Sequence, residues 1–162
     1  MKTKLFLTLL FFCLTPTLFA KNNKLYSSGD LTCNLITDIK QDSHGFVWIA
    51  TEYGLNKFDG MHFVQYLHNE KDNTSLAGNF IPCLYQDSKK NLWVGLSSGI
   101  QRYSAEDDSF QSIHFDNGLT PYVTSIIEMS DGEIWFTTSG RGVFLLDKVH
   151  NRATQLFDIS NK

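Results

Sequence analysis

Four side chains in predicted loops have the chemistry to bind a sugar. Glu52 and Tyr53 share one loop, Tyr122 precedes a predicted strand, and Arg141 lies in a third loop. Aromatic rings bury apolar surface against a flat partner, and charged groups form the stronger hydrogen bonds. We therefore predict these four residues as ligand contacts, with ordinary exposed loop residues as the simpler alternative.

No catalytic or metal-binding motif is present in the sequence. Asp42 and Asp87 occupy the same place in two repeats and could imitate a carboxylate pair, but we expect each to hydrogen-bond its adjacent turn. A metal site needs ligands at matched spacing, and there is neither a G-x-S-x-G motif nor a phosphate-binding glycine loop. We predict no catalytic residue, no metal and no cofactor. The histidines are scattered and are interpreted as surface residues: His44, His62, His68, His114 and His150.

The loops that carry these residues recur because the sequence contains an internal repeat. Trp48, Trp93 and Trp135 are 45 and 42 residues apart, and other positions keep register with them. A repeat of about 40–45 residues with four short strands is typical of a β-propeller blade. We predict an all-β fold, an incomplete propeller of about three four-stranded antiparallel blades at residues 34–67, 79–115 and 121–157. The structural positions of the repeat are Trp48, Trp93, Trp135, Gly54, Gly99 and Gly142.

The tryptophans have two interpretations. A flat aromatic ring in mid-strand can fill the space between adjacent blades and bury a large area. A ring of sugar-stacking aromatics is the alternative, which the apolar neighbours Val47 and Ile49 disfavour for Trp48.

Turn residues separate the predicted strands. Asp131-Gly132 is a hairpin signal, because glycine adopts the positive φ of tight β-turns. Gly45 has the same role in the first repeat, and in the second we expect Asn91 to take that conformation. The last strand of the second blade is predicted over residues 110–115 as one piece.

Residues 1–20 have the pattern of a secretory signal peptide. Lys2 and Lys4 precede an apolar run that is broken only by Thr8, and Ala20 is suited to cleavage. The run is short for a membrane anchor. Cleavage would leave a partial propeller at residues 21–162 and change the formal charge from −3 to −5. This mild acidity argues against nucleic acid as a partner, since nucleic acid attracts clustered Lys and Arg.

Two cysteines remain after the predicted cleavage. Export permits disulfides, but Cys33 and Cys83 occupy different places in their repeats. Two small buried residues are therefore favoured over a bridge.

The first repeat carries D-x-x-G-x-x-W-x-x-T-x-x-G-L-x-x-F-D-G in full, from Asp42 to Gly60. This pattern resembles the two-component regulator propeller repeat. The second repeat departs from it at Lys90, and the third at Met129 and at the residue inserted before Gly142. The resemblance covers nearly all of residues 24–157.

The resemblance implies a function. Such repeats build the periplasmic sensor of hybrid two-component proteins, which join a histidine kinase to a response regulator, sense glycan breakdown products and control polysaccharide-use genes. It implies a non-enzymatic N-terminal sensor part in the periplasm, with an oligosaccharide as ligand. The partners it implies are the remaining blades or sensor domains of a longer receptor, which is anchored in the inner membrane, and a second copy in a homodimer. Three blades fall short of a full ring, so we expect part of a longer receptor. A fragment of a secreted propeller lyase or glycosidase, or a protein-interaction scaffold, is the alternative.

Overall fold

Alternating short strands and tight turns fold the chain into three consecutive antiparallel sheets. The computed structural model describes residues 30–116, 118 and 120–157, and the predicted signal peptide lies outside them. The first sheet contains β1 (Ile36–Gln41), β2 (Val47–Thr51), β3 (Gly54–Phe58) and β4 (Phe63–Tyr66). The second contains β5 (Cys83–Gln86), β6 (Leu92–Leu96), β7 (Gly99–Ser104) and β8 (Ser109–Ser112). The third contains β10 (Val123–Glu128), β11 (Ile134–Thr138), β12 (Gly142–Asp147) and β13 (Arg152–Phe157).

Within each sheet, each of the four strands given above pairs with the next one along the chain. The first strands, β1, β5 and β10, contact one another from sheet to sheet and are called the inner strands. The predicted all-β class and its four-stranded blades are confirmed.

The predicted single strand over residues 110–115 is wrong. The chain leaves the second sheet after Ser112, and β9 (His114–Phe115) pairs in parallel with β13 of the third sheet. The linker before the second blade likewise contacts the last strand of that blade, where Phe110 in β8 donates its backbone N–H to Thr74 O at 2.7 Å. Each linker therefore covers the outer edge of the blade that follows it, which removes an open strand edge.

The prediction that Asn91 takes the positive φ in the turn between β5 and β6 is wrong. Lys90 has φ 70°, where Gly45 and Gly132 have 91° and 87° at the same repeat position. Asn91 does not take the positive φ; its side-chain amide instead donates to both carboxylate oxygens of Asp87, at 3.1 and 2.9 Å. The repeat glycines Gly54, Gly99 and Gly142 close the β2–β3, β6–β7 and β11–β12 hairpins with positive φ.

Two hydrophobic clusters join the three blades. Trp48 packs with Leu84, Leu92 and Val94 of the second blade, and it is fully buried. Trp93 packs in the same way with Ile134 and other residues of the third blade. Two tryptophans with no exposed surface cannot stack on a sugar, so these two are inter-blade packing residues. Trp135 is partly exposed and lies 6.4 Å from the ring of Phe157.

Both remaining cysteines are free thiols in the structure. Cys33 is partly exposed, and Cys83 is buried between the second and third blades. Burial raises the pKa of the Cys83 thiol to about 12.

Candidate functional site

One hydrogen bond is repeated in all three blades and builds the surface called here the loop face. It joins each hairpin between the second and third strands to the segment that leads into an inner strand. Glu52 donates its backbone N–H to Leu35 O at 3.0 Å. In the other two blades, the backbone N–H of Ser97 donates to Phe80 O at 3.2 Å, and that of Ser139 donates to Tyr122 O at 2.9 Å. The acceptors Leu35, Phe80 and Tyr122 each stand thirteen residues before a repeat tryptophan.

An aromatic pair lies on the loop face. The ring centroids of Phe80 and Tyr122 are 5.9 Å apart, with an angle of 40° between the planes. Both side chains are partly exposed, and their backbones are fixed by the hairpin bonds. The pair offers a rigid apolar surface beside a phenol hydroxyl, which suits the C–H face and the hydroxyl groups of a sugar ring.

Phe80 is the residue that the sequence prediction missed. Its signal was available, because it stands in register with the predicted Tyr122. A phenylalanine between a polar linker and a strand is otherwise indistinguishable from a core residue, so only the register could have identified it.

The other predicted contacts share the loop face but are not all brought together. Glu52 and Tyr53 form the exposed tip of the first hairpin, and the Tyr53 side chain is 56% exposed. Arg141 is exposed on the outer side of the third hairpin, where its carbonyl oxygen accepts from Gln155 in β13 at 2.8 Å. Ser139, not Arg141, is the residue of that loop bonded to Tyr122. Tyr122 and Phe80 are therefore the structural centre of the candidate site.

Two buried amides support the segments that cross this face. Asn56 and Gln101 stand at equivalent places in β3 and β7, paired with Ile49 and Val94. Asn56 Oδ1 accepts from Thr32 N, and Gln101 Oε1 accepts from Ala77 N, both at 2.9 Å. In the third blade this place is taken by Phe144, which stacks on Phe136 with ring centroids 5.4 Å apart. The first two blades thus hold their linkers by polar contacts, and the third packs an apolar ring instead.

The aspartates that share a register are structural. Asp42 Oδ1 accepts from the backbone N–H groups of His44 and Phe46, and Asp87 Oδ1 accepts from Asn91 N, so the predicted turn contacts are confirmed. The second carboxylate oxygen of each accepts from an indole, Trp48 Nε1 at 2.8 Å and Trp93 Nε1 at 3.0 Å. These carboxylates fix a turn and a tryptophan together, which leaves them no role as a catalytic pair.

No candidate metal centre occurs among the residues that the structure describes. All five histidines are exposed, as predicted for surface residues. Two of them close local turns with an aspartate three residues earlier, His62 with Asp59 and His150 with Asp147. Between residues 30 and 157, the described elements include no helix long and apolar enough to cross a membrane.

Comparison with known proteins supports the architecture. The family described as two component regulator propeller matches residues 30–53 and 75–98. Histidine kinase P4 of Formosa agariphila is 32% identical over a 92-residue match that covers 52% of this chain and 7% of that protein. The chain therefore spans a small part of this relative.

Solved structures agree. The extracellular domain of BT3049 from B. thetaiotaomicron, described as a hybrid two component system, is 28% identical with a TM-score of 0.73, over 85% of this chain and 20% of that one. The extracellular domain of BT4673 from the same organism, described there as a one component system, is 26% identical with a TM-score of 0.66, and the match covers 79% of this chain and 19% of that one. Virginiamycin B lyase from Staphylococcus aureus is 17% identical with a TM-score of 0.59, and the match covers 77% of this chain and 42% of that one. At this identity the two proteins share the fold alone. The resemblance seen in the sequence is thus confirmed: two segments of the chain match the two-component regulator propeller family, and the fold is similar to that of the extracellular domain of a hybrid two component system.

Proposed function

We propose that this chain is part of the periplasmic sensor of a hybrid two-component receptor, and that it recognises a glycan breakdown product. Its similarity to the extracellular domain of the hybrid two component system BT3049 supports the sensor role. The signal-peptide pattern of residues 1–20 supports export. Ligand binding at the propeller would then be relayed to a kinase and control genes for polysaccharide use.

The Phe80–Tyr122 pair is the single observation that carries the glycan proposal. It is a partly exposed aromatic surface on the face where the β2–β3, β6–β7 and β11–β12 hairpin loops lie, and loops held by a rigid sheet commonly carry binding sites. Glu52 and Tyr53 extend this face from the first blade, and Arg141 extends it from the third.

A binding role fits the described residues better than catalysis. The carboxylates at the repeat position hold turns and indoles, and the histidines lie apart on the surface. The lyase shares only the fold, so it lends no residue roles to this chain.

Other parts of a longer receptor are proposed as partners. Trp48 and Trp93 are each covered by the next blade, and the same face of the third blade presents Trp135 with exposed Ile127 and Phe157. A further blade of the same kind would pack there, since repeat proteins bury each unit against its neighbours. A homodimer of the whole receptor is proposed on the resemblance alone.

The test is oligosaccharide binding by the purified chain, measured by calorimetry with a panel of neutral and acidic oligosaccharides from polysaccharide digests. Phe80→Ala and Tyr122→Ala should each weaken binding about tenfold, which corresponds to about 1.4 kcal/mol. Tyr122→Phe keeps the ring and should retain most of the affinity. His150→Ala, in an exposed turn at the other end of the sheets, is the control and should change nothing.

Two results would overturn the proposal. Binding of no oligosaccharide in the panel would remove the glycan as ligand. Cleavage of a bound oligosaccharide, detected by mass spectrometry, would favour the secreted-enzyme alternative over the sensor.

A further inference from the structure

A second cleft lies between the first and second blades, at the opposite end of the sheets from the loop face. Its walls come from the β1–β2 turn, the β3–β4 turn and the β7–β8 turn, and it encloses about 230 Å³. The lining combines three aromatic rings with one cation and two carboxylates: Phe46, Tyr66, Tyr103, Lys57, Asp59 and Asp108.

A polar network fixes one side of this cleft. Tyr66 and Tyr103 donate their hydroxyls to the same oxygen, Asp108 Oδ1, at 2.7 and 2.6 Å. The two tyrosines come from different blades, so the carboxylate is held from both sides. Burial, together with the hydrogen bond to Asp108, raises the pKa of Tyr103 to about 12 and raises that of Tyr66 as well. Both hydroxyls therefore stay protonated, and Asp108 Oδ2 keeps its capacity to accept from a ligand.

Lys57 provides the donor on the other side. Its ammonium lies 4.3 Å from the ring centroid of Phe46 and 5.3 Å from those of Trp48 and Tyr103. It also donates to Tyr103 OH at 3.2 Å. An ammonium has three N–H donors, and the rings hold it in place by cation–π attraction. A donor and an acceptor are thus fixed around one aromatic-walled space.

The charges and the size select the ligand class. Two carboxylates beside one ammonium disfavour an acidic ligand, and a cationic ligand would compete with Lys57 for the aromatic faces. A neutral polyol avoids both conflicts, because its hydroxyls donate to Asp108 and accept from Lys57 while its C–H face packs on a ring. The volume is below the roughly 300–1,000 Å³ of ordinary ligand pockets, so it suits one sugar ring and not a chain.

We propose that the cleft between the first and second blades binds a single neutral monosaccharide unit, with Lys57 and Asp108 as its polar contacts. This goes beyond the proposed function, because the site shares no residue with the loop face and binds a smaller ligand. A receptor with both sites would contact a glycan on one face and a released monosaccharide on the other.

The test uses the full chain and measures binding by calorimetry, with intrinsic tryptophan fluorescence, to which Trp48 beside the cleft contributes, as a second readout. The ligands are D-glucose, D-galactose and D-mannose, compared with D-glucuronate and D-glucosamine. At least one neutral sugar should bind more tightly than either charged sugar. Lys57→Met and Asp108→Asn should each weaken binding at least tenfold, and asparagine tolerates the φ of 51° found at Asp108.

Two control variants separate the explanations. Asp107→Asn changes the neighbouring exposed acid and should leave sugar affinity unchanged. Tyr122→Ala should also leave it unchanged, while weakening oligosaccharide binding at the loop face, so the two proposals can fail independently. Thermal unfolding of each variant checks that the blades remain packed.

The proposal is overturned if no neutral monosaccharide binds the unaltered chain, or if D-glucuronate or D-glucosamine binds more tightly than all three neutral sugars. It is also overturned if Asp107→Asn weakens binding as much as Asp108→Asn, because the effect would then come from general surface charge.

Discussion

Lys148 joins the second blade to the third, and replacing it by methionine tests what holds them together. Its ammonium lies 3.5 Å from Asp87 Oδ2 and 3.4 Å from Glu128 Oε1, and it donates to Gly132 O at 2.9 Å. The Asp87 side chain has no exposed surface and that of Lys148 is 19% exposed. Methionine keeps most of the length and apolar volume but leaves two carboxylates without their cation.

The expected cost follows from this burial. Removing one partner of a buried ion pair typically costs about 3–5 kcal/mol, because the other charge stays buried and unpaired. Since water still reaches part of the Lys148 side chain, we expect about 2–3 kcal/mol for Lys148→Met. With a urea dependence of about 1–3 kcal/mol per molar, the unfolding midpoint should fall by roughly 0.7–3 M.

The pH dependence gives a second readout. Burial alone would raise the pKa of Asp87, but hydrogen bonds from Asn91 and Trp93 and the charge of Lys148 lower it below its ordinary value of 3.8. A carboxyl whose pKa is lowered by folding stabilises the protein above its unfolded pKa, and this stabilisation is lost as the pH falls through the folded pKa. The difference between Lys148→Met and the unaltered protein should therefore be full at pH 7 and shrink below about pH 4.

Urea unfolding followed by far-ultraviolet circular dichroism at pH 7 and pH 3 measures both effects. The matched control is Arg152→Met, which breaks a shorter ion pair with Asp116, 2.6 Å between Nη2 and Oδ1. Those side chains are 57% and 41% exposed, so solvent screening should leave the midpoint nearly unchanged. If Arg152→Met costs as much as Lys148→Met, distance and not burial sets the energy, and the reasoning is refuted.

Two further predictions concern glycine positions. Lys90→Gly should stabilise the protein by up to about 1 kcal/mol, because glycine adopts the left-handed φ of 70° without strain. The control is Asn91→Gly, which loses the contacts to Asp87 and should not stabilise the protein. An unchanged or lower urea midpoint for Lys90→Gly would contradict this prediction. Gly95→Ala should destabilise by about 1–3 kcal/mol, since the new Cβ would lie 2.5 Å from Cys83 Sγ and 3.0 Å from Val123 Cγ1. Adding Cys83→Ala should recover part of that loss in thermal unfolding, and the absence of any recovery would show that the clash lies elsewhere.

The repeat made most of the fold predictable from the sequence. The register of Trp48, Trp93 and Trp135 locates the three sheets. The alternation of sides along each strand and the glycine or polar residue in each turn then locate the strands. The split of the last strand of the second blade was not predictable, since residues 110–115 are uniformly suited to a strand. Only the parallel pairing of β9 with β13, between residues distant in sequence, reveals it.

The candidate site was less predictable than the fold. Tyr122 was identifiable by its chemistry, but its neighbour Phe80 lies in another blade, and the contact depends on how two blades pack. The same limit applies to the cleft, where Tyr66 and Tyr103 are brought to one carboxylate from different blades. Local patterns predict elements, whereas sites between elements depend on the packing of repeats against each other.

The linkers that cover the outer edges have an evolutionary consequence. Residues 68–112 contain the edge-covering segment of the second blade and all four of its strands, so the folded unit coincides with one continuous stretch of gene. Tandem duplication of such a stretch adds a blade whose outer edge is already protected. Because each blade packs on its neighbours, blades can be gained as whole units, and residues between blades can diverge one junction at a time.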